Sequence, residues 1–136
     1  LKADEVTKRQ YPFDFDLRVT YRLEDTRLTV EFLVTNLSDR PMPFVVGGHP
    51  AFRVPVSGED RFENWVVEFE KEEMEYGDFR YLGIWSAKND APFVALEPWT
   101  GCGTAQDEDD CFERKRGMKL LEPEFSFKAA FTMNIL

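Results

Sequence analysis

The chain has 136 residues and a formal net charge of −9, with 17 Lys and Arg against 26 Asp and Glu. This acidity argues against nucleic acid and against an anionic membrane surface, because both are bound through clustered basic side chains. A neutral ligand such as a small molecule or a sugar fits the charge better. The length suits a single domain, and an apolar fraction of 43% that includes 13 Phe supplies a core.

The sequence gives no sign of a membrane or export segment. No stretch approaches the roughly 20 apolar residues of a membrane helix, and nothing at the start resembles a signal peptide. The first residue is Leu1, so we expect the natural N-terminus to lie further upstream. Cys102 and Cys111, the only cysteines, make no disulfide framework and have no neighbouring histidine for zinc. We therefore expect a cytoplasmic protein with two reduced thiols.

Two long runs alternate apolar and polar residues, which places every second side chain on one face of a sheet. The first extends from Leu17 to Leu23 and the second from Leu28 to Val34. The polar residues Glu24–Thr26 connect them. Two such runs across a short turn predict an antiparallel hairpin.

The segment from Met42 to Val46 predicts another strand, closed by Gly47-Gly48. Pro50 and Pro55 oppose regular pairing in a central strand, so residues 47–56 are expected to be irregular. Asp107–Asp110 lacks the ligand spacing and glycine of a calcium loop and is expected to be a surface loop.

Shorter candidate strands follow, and the tail alternates with a shift after Phe127 that fits a bulge at Ala129-Ala130. The strands are Trp65–Phe69, Tyr81–Trp85 and Phe93–Leu96, and the alternating tail residues are Phe125, Phe127, Phe131, Met133 and Ile135. With no repeat and no amphipathic helix, these elements predict an all-β sandwich or a related layered architecture.

The first candidate site is Gly47–Phe52, which contains His49, the only histidine of the chain. Two glycines allow the backbone unusual conformations and close approach to a ligand. An imidazole can donate or accept a proton near neutral pH. The alternative is a structural histidine on a glycine-rich turn. A phosphate loop is disfavoured because no Lys and no helix start follow.

The second candidate site is Phe93–Gly101, where Glu97 directly follows an apolar run. Burial there would make its carboxylate a better base, whereas the alternative is a glutamate at a strand end that points to water. Trp99 beside it, and Trp85 in a neighbouring segment, offer flat faces that can stack on a sugar ring, although such residues can also be core.

These motifs, in this order, resemble the aldose 1-epimerase (galactose mutarotase) family, in particular its bacterial branch of galactose mutarotase-related proteins. The resemblance covers nearly the whole chain and is carried by Tyr11–Phe15, the hairpin ending at Thr35-Asn36, Pro43-Phe44 with Gly47–Phe52, Leu82–Ser86 and Leu96–Gly101.

The resemblance implies an antiparallel galactose mutarotase-like supersandwich that binds a sugar in a shallow cleft, without cofactor or metal. His49 matches the general acid that protonates the ring oxygen. Glu97 matches the base that removes the C1 hydroxyl proton. Phe52, Arg53, Trp85 and Trp99 are the expected sugar-binding residues.

Members of this family are longer. The resemblance implies one domain over residues 1–136 that lacks the family's opening strands before Leu1 and several strands between about residues 70 and 79. We expect residues of a longer chain to be missing at both places, since the remaining strands would expose unpaired sheet edges.

Two alternatives stay open. A hexose-6-phosphate 1-epimerase would need basic groups near the cleft for the phosphate, and Arg53 is the obvious local candidate. A non-catalytic carbohydrate-binding domain of the same fold would need no acid–base pair. The sugar and the oligomeric state are not specified by the sequence.

Overall fold

The structure, a computed structural model, describes residues 1–56, 58, 60–69, 79–87 and 91–134. All strand pairs in this part of the chain are antiparallel, which confirms the predicted all-β architecture. The strands are β1 (Phe15–Glu24), β2 (Arg27–Asn36), β3 (Met42–Phe44), β4 (Ala51–Arg53), β5 (Tyr81–Trp85), β6 (Phe93–Trp99), β7 (Lys119–Leu121) and β8 (Ser126–Asn134). Short 3-10 helices occupy Thr7–Arg9, Phe62–Asn64 and Phe112–Arg114. Within the described ranges, none of the helices is long and apolar enough to cross a membrane.

The largest sheet has the order β1-β2-β8. The predicted hairpin is confirmed, because β1 and β2 pair in register from Phe15 opposite Asn36 to Glu24 opposite Arg27. The predicted bulge in β8 is wrong, since Ala129 and Ala130 continue the regular register opposite Phe32 and Glu31. Ala129 faces the core and is 4% exposed. It is therefore the inward residue between Phe127 and Phe131, and only its small side chain interrupts the alternation of large apolar residues.

The core lies against the inward face of this sheet. Phe79 is 1% exposed and its ring packs 6.0 Å from Phe32 and 5.6 Å from Phe131, centroid to centroid. A second cluster extends the core towards β3 and β7, where Met42, Phe44 and Leu121 are buried. Aromatic pairs of this geometry add to the stabilisation from burial.

Asn36 is a completely buried polar residue at the end of β2. Its Nδ2 donates to the carbonyl oxygens of Arg40 and Leu121, at 2.9 Å and 2.8 Å. Its Oδ1 accepts a hydrogen bond from the backbone N–H of Ser38 at 2.9 Å. One amide side chain therefore ties β2 to the following turn and to β7.

The second sheet has two strands, β3 and β7. The third sheet has the order β4-β6-β5 and carries the candidate site. The prediction that residues 47–56 are irregular is wrong for β4, which pairs with β6 from Ala51 opposite Ala95 to Arg53 opposite Phe93. Pro50 fits beside β6 because its carbonyl oxygen accepts from Leu96 N at 3.0 Å. A proline is tolerated directly before β4, which is an edge strand of this sheet in the part of the chain that the structure describes.

Other predicted strands differ in their extent. The strand from Met42 ends at Phe44, because the chain then leaves β7 and Val46 bonds to Thr100. The strand at Phe93 continues beyond Leu96 to Trp99. The strand expected at Trp65–Phe69 is wrong, since alternation there is not matched by a partner strand within the described residues.

Some expectations fall outside the part of the chain that the structure describes. These are the missing stretch between about residues 70 and 79 and the last alternating residue, Ile135. The division into one domain completed by further residues stays a prediction.

Candidate active site

The antiparallel register places His49 directly opposite Glu97. Gly47 bridges to Trp99, and Ala51 pairs with Ala95. Position 49 lies midway between these two contacts on one strand, and position 97 lies midway on the other. Backbone hydrogen bonds flank the central position: Gly48 N donates to Pro98 O, and Leu96 N donates to Pro50 O, both at 3.0 Å. His49 and Glu97 therefore occupy a non-hydrogen-bonded position, where side chains on neighbouring strands are closest.

The two side chains make a direct contact of 2.9 Å between His49 Nε2 and Glu97 Oε1. The Glu97 side chain is 10% exposed, whereas the His49 side chain is 61% exposed. The alternative of a water-facing strand-end glutamate is therefore wrong, because Glu97 lies within β6 and is buried. The arrangement pairs a shielded carboxylate with an imidazole that a ligand can reach.

The indole of Trp99 lies across the sheet between two glycines. A Cβ atom built on Gly47 would overlap Trp99 Cδ1, and one built on Gly83 would lie 3.1 Å from Cη2 and 3.4 Å from Glu97 Cβ. Gly83 pairs with Glu97 in the register of β5 and β6. The missing side chains therefore let the indole approach both neighbouring strands beside the carboxylate.

Trp85 borders the same face of the sheet. It pairs with Ala95, is 51% exposed, and has its ring centroid 6.3 Å from that of His49. Ala95 in turn pairs with Ala51. Ala95 is completely buried and Ala51 is exposed, so two small side chains adjoin the exposed tryptophan and the His49–Glu97 pair.

The remaining two predicted sugar-binding residues lie on opposite faces. Arg53 pairs with Phe93 and shares the face of Glu97, because residues 93, 95 and 97 point to one side of a strand. Phe52 pairs with Val94 and faces the other side. The structure thus brings together His49, Glu97, Trp85 and Trp99, places Arg53 further along their face, and does not bring Phe52 to it.

A cavity of about 380 Å³ lies beside His49 and is lined in part by His49, Trp99 and Cys102, whereas Glu97 and Trp85 do not line it. Sequence reasoning missed Cys102 as a lining residue, since a lone cysteine carries no positional signal. It also missed Gly83, although a glycine inside a strand does signal close approach of another group. Among the described residues, no group of three or more His, Cys, Asp or Glu side chains could hold a metal ion.

The fold is an all-β arrangement of antiparallel sheets, and comparison with known families identifies the family to which it belongs. The aldose 1-epimerase family model matches residues 1–112. The chain belongs to this family.

Individual proteins are also similar to this chain, at low sequence identity. The chromosomal LacX protein of Lactococcus lactis subsp. lactis is 25% identical over 190 residues, covering 93% of this chain and 64% of LacX. A galactose mutarotase related enzyme from Lactobacillus acidophilus has a TM-score of 0.80 and 26% identity over 98% of this chain and 65% of its own. A galactose mutarotase-like protein from Lactobacillus casei has a TM-score of 0.73 and 23% identity, over 96% of this chain and 66% of its own.

The chain therefore spans about two thirds of the length of these relatives. The aligned stretch of 190 residues with LacX is longer than the 136 residues of this chain. LacX consequently contains residues inside that stretch that have no counterpart here.

Proposed function

We propose that this protein is an aldose 1-epimerase that interconverts the α and β anomers of a free hexose. The observation that carries the proposal is the 2.9 Å contact between His49 Nε2 and Glu97 Oε1 on a face bordered by Trp85. The substrate is a small sugar, and the proposed setting is the cytoplasm, where the free thiols of Cys102 and Cys111 stay reduced.

In the proposed reaction, Glu97 removes the proton of the C1 hydroxyl while His49 donates a proton to the ring oxygen. The bond between C1 and the ring oxygen breaks, and C1 becomes an aldehyde. Rotation about the C1–C2 bond then presents the other aldehyde face. His49 takes the proton back from the C5 hydroxyl as that oxygen attacks C1, and Glu97 returns its proton to the C1 oxygen, so both side chains end as they began.

The close pairing of acid and base supports this chemistry. The ring oxygen and the C1 hydroxyl oxygen are bonded to the same carbon, so the groups that serve them must be neighbours. A non-hydrogen-bonded cross-strand pair provides that proximity. The flat faces of Trp85 and Trp99 can pack against the C–H face of the sugar.

Polarimetry of freshly dissolved α-glucose or α-galactose tests the proposal. We expect the wild-type protein to accelerate the change in rotation and Glu97→Gln to lose about 10²–10⁴ of that acceleration with unchanged thermal unfolding. Glu122→Gln, on an exposed residue at the end of β7, is the matched control and keeps the wild-type rate. An unchanged rate in Glu97→Gln would remove this residue from the mechanism.

Arg53 favours a second candidate, a hexose-6-phosphate 1-epimerase. It shares the face of Glu97 and lies opposite Phe93, four residues or about 13 Å along β6. A guanidinium at that end of the site can pair with a phosphate. If the substrate is phosphorylated, Arg53→Gln should raise KM for α-glucose 6-phosphate and leave the rate with α-glucose unchanged.

A non-catalytic carbohydrate-binding domain predicts sugar binding without any acceleration of mutarotation. Calorimetric titration would then detect sugar binding while the wild-type protein leaves the polarimetric rate at the value without protein.

A further inference from the structure

Thr100 forms an unusual pair with Val46 at the end of β6. Thr100 is completely buried, and its backbone N–H donates to Val46 O at 2.9 Å. Val46 N in turn donates to the hydroxyl Oγ1 of Thr100 at 2.9 Å. In a regular antiparallel ladder this second bond would go to the backbone carbonyl of the facing residue, so the hydroxyl takes the place of the carbonyl.

The Thr100 carbonyl oxygen is directed elsewhere. A Cβ atom built on Gly117 would lie 2.7 Å from it, and Gly117 has a φ of +75° that favours glycine. The chain thus leaves the ladder at Thr100 and turns into the loop that ends at Gly117. Without the threonine hydroxyl, the N–H of Val46 would lose its acceptor at this point.

This pair lies next to the candidate active site along the chain. Val46 is followed by Gly47 and Gly48 and then by His49, so the bonded pair lies three residues before the imidazole. The position of His49 therefore depends on the ladder bonds on either side of it.

Those bonds are few. The pairs Gly48–Pro98 and Pro50–Leu96 each supply one hydrogen bond, because proline has no N–H to donate. The pair Val46–Thr100, in contrast, supplies two hydrogen bonds. One of these two depends on the threonine hydroxyl.

We propose that Thr100 is a positioning residue of this site, whose hydroxyl holds Val46 and thereby keeps His49 in contact with Glu97. Its effect on the reaction rests on the proposed function, whereas its effect on the His49–Glu97 contact does not. The experiment therefore needs one measurement that is independent of catalysis.

That measurement uses the imidazole Cε1–H resonance of His49, which is unambiguous because the chain has one histidine. We expect Glu97→Gln to shift this resonance in the wild-type background and to shift it by less than half as much in Thr100→Val. Thr100→Ser keeps the hydroxyl and should keep the full shift. The matched control Thr29→Val should also keep the full shift. This variant removes a threonine hydroxyl that is bonded to Thr132 in the sheet β1-β2-β8, away from the site.

The kinetic measurement follows the same variants. We expect Thr100→Val to lower kcat about 10- to 100-fold, because a misplaced catalytic group is costly, with KM changed less than threefold. Thr100→Ser and Thr29→Val should stay within twofold of the wild type. If the wild-type protein shows no epimerase activity, the proposed function fails while the NMR comparison still decides the role of Thr100.

Two outcomes would overturn the proposal: a full Glu97→Gln shift in Thr100→Val, or loss of that shift in Thr100→Ser. Should Thr100→Val not fold, hydrogen exchange in the wild type decides. The amide of Val46 must then exchange slowly, and an unprotected Val46 amide would show that the hydroxyl does not hold it.

Discussion

The backbone of Gly47 packs directly against the indole of Trp99, so closely that a methyl group on Gly47 would overlap the ring atom Cδ1. The same methyl would lie 3.0 Å from the carbonyl oxygen of Pro98, which accepts a ladder bond from Gly48. The indole and the backbone ladder thus both limit the space at Gly47. At Gly83 the tip of the indole sets the limit, with Cη2 at 3.1 Å and Cζ2 at 3.3 Å.

The first prediction compares these two glycines. Gly47→Ala should destabilise the fold by about 1–3 kcal/mol, in the range of overpacked interiors, because the overlap involves both ring and backbone. Gly83→Ala should cost less, since a small rotation of the indole relieves the contact. Denaturant unfolding measures both, and Gly58→Ala, where a Cβ atom meets nothing within 4 Å, serves as the control. A larger loss in Gly83→Ala than in Gly47→Ala would contradict this packing.

The second prediction concerns the buried amide of Asn36. Asn36→Ala should cost about 2–4 kcal/mol, because it removes three hydrogen bonds and leaves two carbonyl oxygens without their donor. Asn64→Ala removes an exposed hydrogen bond to Asp60 and should cost less than about 1 kcal/mol. Equal losses in the two variants, measured by urea unfolding, would show that Asn36 does not tie β2 to β7.

The third prediction is a pH dependence of the loop that connects β6 and β7. The backbone N–H groups of Arg116 and Ala105 lower the pKa of the Glu108 carboxyl below its usual value, and the Arg114 side chain lowers that of Asp109. A lowered pKa in the folded state stabilises the loop above the ordinary carboxyl range, and the stabilisation is lost as pH falls through the folded-state pKa.

Amide exchange of Arg116 measures this effect. Its N–H donates to Glu108 Oε1 at 3.1 Å, so its protection should persist at neutral pH and decrease on acidification below about pH 4.5. Glu108→Gln removes the titrating carboxyl and should abolish most of the pH dependence. A transition near pH 7, or the same acid transition in Glu108→Gln, would contradict the assignment.

Alternation predicted the long hairpin because β1 and β2 are joined by a short turn and need only local information. It failed at residues 65–69, where an apolar pattern has no partner strand in the part of the chain described here. It also suggested a bulge in β8, because the small Ala129 was not recognised as an inward-facing residue of the alternating pattern. A pattern shows which residues can face a core, whereas the partner strand decides whether they form a ladder.

The sequence singled out the candidate residues of the site, whereas their geometry came from the structure. His49 and Glu97 were found from their motifs, but Pro50 concealed the register that puts them opposite each other. Gly83 and Thr100 escaped notice because their roles depend on residues across the sheet, Trp99 and Val46. Phe52 was expected at the site, and strand alternation directs it to the other face.

The most direct test of the account is a double-mutant cycle on the acceleration of α-glucose mutarotation, with His49→Asn, Glu97→Gln and the double variant. Because we propose that the two side chains act on one substrate as a unit, each single variant should lose most of the acceleration and the double variant should lose little more. Wild-type rates in either single variant, or losses that simply multiply in the double variant, would contradict the proposed acid–base pair.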